Sequence, residues 1–150
     1  MRHLIVLIIC ALTIVLGLAN LAFARSGSTL STGQALADAG DIKGAMRVFA
    51  ALTRAQPESA EAHARLGGMQ LLDRRYADAV RSFQRAVSLG DNGTRSFLGM
   101  GMAYLHMGQM RAARAAFIEA KARGTRQPAQ VDEVIAWIDA RDGVPAVPQR

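Results

Sequence analysis

Gly33, Gly67 and Gly101 are spaced by 34 residues, and so are Ala45, Ala79 and Ala113, and again Phe49, Phe83 and Phe117. Three residue types sharing one period define three copies of one unit, in blocks 26–59, 60–93 and 94–127. A unit of this length cannot bury its apolar face alone; it becomes stable by stacking on its neighbours. The period therefore excludes a fold built around one central sheet or bundle and requires a solenoid.

Within each block the apolar spacing is helical. In the second, Leu66, Met69 and Leu72 recur at three-residue steps, and Ala79, Val80, Phe83, Ala86 and Val87 follow the rhythm of a buried helix face. Each block is interrupted at its middle, by Ala39-Gly40-Asp41, Asp73-Arg74-Arg75 and Met107-Gly108-Gln109. Gly40 and Gly108 suit a left-handed residue closing a helix, and Asp41 suits the N-cap of the next. Gln56-Pro57-Glu58, Gly90-Asp91-Asn92-Gly93 and Gly124-Thr125 separate the blocks. Each copy is thus a helix pair. Gly33, Gly67 and Gly101 fall in mid-helix, at a cost of about 1 kcal/mol each against alanine. Close approach of the partner helix offsets that cost, with Ala45, Ala79 and Ala113 as the opposing small residues and the phenylalanines filling space between pairs. With one Trp and 5% aromatic residues, an aromatic-rich sandwich core is excluded.

These residues resemble the signature of the tetratricopeptide repeat. The second block carries it most fully, in Leu66, Gly67, Tyr76, Ala79, Phe83, Ala86 and Leu89, and the third carries Gly101, Tyr104, Ala113, Phe117 and Ala120. The first block fits at Gly33, Ala45, Phe49 and Pro57, with Thr29 and Thr32 where large apolar residues are usual. The family's bulky first-helix aromatic is replaced by His63 and Phe97, so His63 reads as a packing substitute and not a ligand. The resemblance implies an all-α fold, an α-solenoid of three helix-turn-helix repeats. After it, Pro128 opens a last helix over 128–143, with Val131, Val134, Ile135 and Ile138 inward, Trp137 beside them, and Asp132, Glu133 and Asp139 outward. Such a helix covers the open face of the third copy, as a solenoid requires. Residues 144–150, with Pro145 and Pro148, read as a flexible tail.

The hydrophobic content of 51% combines this pattern with a separate leader. Residues 4–24 hold 18 apolar residues out of 21, behind Arg2 and His3. Ala22-Phe23-Ala24 matches the small-x-small pattern of a signal peptide cut after Ala24; the alternative is an uncleaved anchor, since about 20 apolar residues span a bilayer. Either way the remainder is expected to be exported, to the periplasm or, if uncleaved, the periplasmic face of the inner membrane. Cys10 is the one cysteine and lies in the leader, without the small preceding residue of a lipoprotein. The remainder then has no thiol for disulfide, catalysis or metal.

Enzyme signatures are absent: there is no His-Glu-x-x-His, Gly-x-Ser-x-Gly or phosphate loop. No catalytic residue and no cofactor is expected. Met100, Met102, His106, Met107 and Met110 lie within eleven residues, and thioether and imidazole bind Cu(I). A periplasmic copper-handling protein using Met102 and His106 is therefore the alternative reading, although Met100 and Met110 stand where Leu66 and Tyr76 do and belong to the core. The formal charge of +6 falls to +5 without the leader. Arg74, Arg75, Arg81, Arg85, Arg111 and Arg114 read as a solvated face, and with export a nucleic-acid partner is not expected.

In the family that these repeats resemble, the first helix of each pair lines a concave groove. Carried over, the lining is Gln34 and Asp38; Glu61, Ala64, Arg65, Gly68, Leu71 and Leu72; and Arg95, Leu98, Met102, Leu105 and His106. Of these, Arg65, Gly68, Leu72, Arg95, Leu98, Met102 and His106 are the partner-binding candidates, while Leu71 and Leu105 could instead serve the core. The lysine and asparagine residues that clamp a C-terminal carboxylate in chaperone-binding members have no counterpart here. The expected function is a noncatalytic adaptor of the bacterial envelope that binds a peptide or helix in the groove, in assembly of a pilus, a secretion system or a cytochrome c maturation machine.

Overall fold

The structure is a computed structural model that describes residues 29–142; the leader and the C-terminal tail lie outside them. Seven helices are described: α1 over 29–38, α2 (Ile42–Ala55), α3 (Ala60–Leu72), α4 (Tyr76–Ser88), α5 (Thr94–His106), α6 (Met110–Ala122) and α7 (Pro128–Asp142). There is no strand among the described residues. Each helix packs chiefly on those before and after it, and α3 also touches α5. The chain is an α-solenoid of three helix pairs closed by a single helix, and no described helix is long and apolar enough to cross a membrane.

The turns form where small-residue chemistry predicts. Gly40 and Gly108 have φ of 81° and 71°, and Arg74 occupies the same register at 61°. Asp41 Oδ1 accepts from Gly44 N at 2.8 Å, and Ser59 Oγ accepts from Ala62 N at 3.2 Å, so α2 and α3 begin on side-chain caps.

The mid-helix glycines meet the phenylalanines directly. A Cβ at Gly33 would lie 2.6 Å from the Phe49 ring, one at Gly67 2.9 Å from Phe83, and one at Gly101 2.8 Å from Phe117. Each ring therefore fills the notch left by the glycine of its own pair. Phe83 also reaches across to the next pair, where Gly99 gives it a second notch. Three apolar clusters follow along the axis, around Phe49, Phe83 and Phe117. The one buried polar contact between α3 and α4 is internally satisfied, Ser82 Oγ donating to Gln70 Oε1 at 2.6 Å.

α7 buries Val131 and Ile138 against α6, with Val134 and Ile135 packed beside them. One residue expected outside is inside. Asp139 is only 6% exposed, because Arg114 of α6 donates to both of its carboxylate oxygens, Nη2 to Oδ2 at 3.2 Å. That hydrogen bond, outweighing burial and helped by the carboxylate charge, raises the Arg114 pKa above its ordinary value. A second pair, Lys121 Nζ to Asp132 Oδ1 at 2.6 Å, holds the start of α7. Trp137 stays 48% exposed, with the Arg141 guanidinium 5.2 Å above its ring.

Candidate functional site

α1, α3 and α5 are the first helices of the three pairs, and the partner-binding candidates lie on α3 and α5 at equivalent registers. Successive first helices show Gln34, Gly68 and Met102 at one register, and Asp38, Leu72 and His106 at the next. Leu72 and Met102 are 62% and 43% exposed, two of the four large apolar side chains left open among the described residues. They do not stand apart. With Leu71, Arg74, Tyr76 and His106 they line a cleft of about 540 Å³.

The floor of this cleft is set by a stacked pair. The rings of Tyr76 and His106 lie 4.6 Å apart and 5° from parallel. Tyr76 opens α4 and His106 ends α5, so the stack joins the second copy to the third and fixes the imidazole beside the apolar wall. Leu71 is partly buried against the central core cluster and still lines the cleft. Leu105 packs on the Phe117 cluster, so it serves the core.

Arg95 and Leu98 lie further along the same face of α5, in a second cleft of about 400 Å³ formed with Thr94, Gly124, Thr125, Arg126 and Gln127. Residues 95, 98, 102 and 106 recur at three- and four-residue steps, so the two clefts share one helix stripe. Gly68 faces open space. Arg65 is tied down: it donates to Gln34 Oε1 and, at 3.2 Å, to Glu61 Oε1. It thereby joins α1 to α3 across the groove margin. The candidates thus fall into an apolar group (Leu72, Met102, His106) and a charged-margin group (Arg95, Leu98), with Arg65 and Gly68 between.

Three contributors, Tyr76, Arg126 and Arg74, were not among the sequence candidates. Tyr76 carries a repeat-signature role in the sequence, and nothing there announces a stack on a residue thirty positions away. Arg126 stands in the linker before α7, and only the folded turn brings it into one cleft with Arg95. Arg74, grouped above with a solvated face, lines the apolar cleft.

His63 is half-buried and its Nε2 lies 3.1 Å from Pro57 O, a bond that ties α3 to the linker before it. Of the Met/His cluster, Met100 is buried, and Met107 and Met110 pack on core clusters. That leaves Met102 and His106 facing the cleft, and no group of three His, Cys, Asp or Glu comes together among the described residues.

A solenoid of helix pairs with an open first-helix face is the architecture of a repeat module, and residues 30–94 match the family model described as tetratricopeptide repeat. Over residues 30–94 the chain is thus similar to the tetratricopeptide repeat family, and the solenoid has the fold of that family's solved members. Solved structures share the fold at low identity. PcrH, in complex with the chaperone binding region of PopD, superposes at a TM-score of 0.72 with 20% identity, over 77% of this chain and 92% of that one. The Yersinia enterocolitica type III secretion chaperone SycD, in complex with a peptide of the translocator YopD, gives 0.72 and 16%, over 77% and 93%. The first tetratricopeptide repeat domain of Spaghetti (RPAP3), bound to an HSP90 peptide, gives 0.73 and 13%, over 79% and 93%. Among curated proteins no match is found.

Proposed function

We propose that this chain is a noncatalytic adaptor that seats a peptide segment of another protein along the first-helix face, across Leu72, Met102, His106 and Leu98. The observation that carries the reading is the exposure of Leu72 and Met102 in one apolar-walled cleft. Large aliphatic side chains left in water cost roughly 25 cal/mol per Å² relative to burial, and a concentration of them on the open face of a solenoid marks a docking surface. The peptide and protein segments held by PcrH, SycD and Spaghetti support the same reading. Met102 and His106 offer one thioether and one imidazole, short of a closed Cu(I) site.

The apolar leader supports an exported protein of the bacterial envelope, free in the periplasm or tethered to its inner membrane. There the adaptor would serve the assembly of an envelope machine of the pilus, secretion or cytochrome c maturation kind. Mass spectrometry of the protein purified from its own cells tests the compartment: a chain beginning at Arg25 establishes cleavage, and an intact Met1 establishes a tether. For the groove, a photo-reactive amino acid at position 102 should crosslink one predominant protein in cells. Leu98→Glu should abolish that crosslink while circular dichroism shows unchanged helicity. An undiminished crosslink in Leu98→Glu overturns the groove.

A further inference from the structure

The second cleft is lined by two arginines. Arg95, on the first turn of α5, and Arg126, in the α6–α7 linker, line it together with Thr94, Thr125, Gln127 and Leu98. Neither arginine makes an ion pair or hydrogen bond among the described residues. The acids nearest in the chain are engaged elsewhere. Asp91 accepts from Gly93 N at 2.8 Å and from Ser96 Oγ, Glu119 is held by Arg123, and Asp132 is held by Lys121. Glu133, on α7, does not line the cleft. The first turns of α5 and α7 carry no acidic residue. Two like charges in one cleft repel, and no ion pair among the described residues neutralises them. Arginine presents a planar fork of donors matched to a carboxylate; the Thr94 hydroxyl is spent on Arg123 O, whereas the Thr125 hydroxyl, which accepts from Gln127 N, keeps its proton to donate.

We infer that Arg95 and Arg126 form a receiving site for an acidic side chain of the bound peptide, continuous with the apolar cleft. This rests on the peptide-groove reading and names the partner's chemistry. Along α5 the distance from Arg95 to Met102 is about 10 Å at 1.5 Å per residue, which an extended chain covers in about three residues at ~3.3 Å each. The ligand is an extended segment with an Asp or Glu three or four residues from a large apolar side chain: the carboxylate lies between the arginines, and the apolar group lies against Leu72, Met102 and the Tyr76–His106 stack.

The test is selection of a phage-displayed random dodecapeptide library on the full-length chain, compared with Arg95→Gln/Arg126→Gln and with Leu98→Glu/Met102→Glu, each checked for native helicity. Wild type should enrich peptides with an acid and a large apolar residue at that spacing. The arginine variant should keep the apolar preference and lose the acidic one. A synthetic enriched peptide should weaken about tenfold when its acid becomes the amide, and the difference should shrink as salt rises. Enrichment without an acid, or an acidic preference that survives Arg95→Gln/Arg126→Gln, overturns the carboxylate site and leaves the groove standing. Failure of the wild type to enrich any peptide, or enrichment untouched by Leu98→Glu/Met102→Glu, overturns the groove and this site with it.

Discussion

A methyl group at Gly67 would stand 2.9 Å from the Phe83 ring, whereas one at Gly68 would meet nothing within 4 Å. The two glycines are neighbours on one helix, so propensity treats them alike and packing does not. Gly67→Ala should destabilise by about 1–3 kcal/mol, the range for overpacking a filled core, despite the helix-forming advantage of alanine. Gly68→Ala should stabilise by up to about 1 kcal/mol. Chemical denaturation of both variants reads the contrast directly, and equal shifts would contradict the notch. A third substitution concerns backbone shape. Arg74 has φ of 61° where the other copies have Gly40 and Gly108, and a left-handed conformation costs a residue with a Cβ roughly 1–2 kcal/mol. Arg74→Gly should therefore raise the unfolding midpoint, the gain being reduced by the greater freedom of glycine in the unfolded chain. The glycine notch was legible from spacing alone, because a mid-helix glycine at one period asks for a packing reason. That Phe83 would occupy two notches was not, because Gly99 breaks the period: its equivalent in the second copy is Arg65.

At the scale of the element, α7 is where sequence reading and structure part. The apolar stripe at 131, 134, 135 and 138 was enough to find the helix and its inner face. Asp139 follows Ile138 at an angle of about 100° around the axis, which places it at the edge of that face, and pattern alone cannot say whether an edge position finds a partner. Arg114 supplies one. Because the Arg114 pKa is raised on folding, the stabilising contribution of its charge is fully present below the unfolded value and is lost only as pH rises through the higher folded one. The guanidinium thus stays charged through neutral and mildly alkaline pH, and the clamp holds there. Asp139→Asn keeps the shape and removes the charge. It should destabilise by about 2 kcal/mol, within the range for hydrogen bonds to charged groups, and hydrogen exchange should show the loss concentrated in α6 and α7. Loss spread evenly over the chain would mean that the pair serves global stability and not the docking of one helix.

Across the whole molecule, contacts run between sequence neighbours, as in a one-dimensional array. Amide exchange of the native protein should be slowest in α3 and α4, which have a full pair on each side, and faster in α1 and α7. Uniform protection would show a single cooperative unit instead. The same linear order explains why the fold was legible and the candidate site only half so. Period, caps and core face are properties of one copy, written three times. The clefts are properties of the joins between copies: Tyr76 stacks on His106, and Arg126 shares a cleft with Arg95, only after the copies stack, and a repeat pattern says which residues are equivalent without saying which of them touch.

The double seating of Phe83 makes the joins unequal. Between the second and third copies an aromatic ring is gripped on both sides, by Gly67 and by Gly99. Between the first and second, the place of Gly99 is taken by Arg65, whose guanidinium bonds Gln34 instead. One join is a keyed joint; the other closes Leu66 and Met69 on the Phe49 cluster, with a polar latch beside it and no key. An array lengthened by inserting a further copy of 94–127 would bring its own glycine to receive Phe117 and could grow in register, whereas a further copy of 26–59 would arrive with Ser31 in that place and no key. The capacity of this protein to be extended by duplication is thus written into one end of it, through a single hydrogen atom where a side chain would otherwise stand.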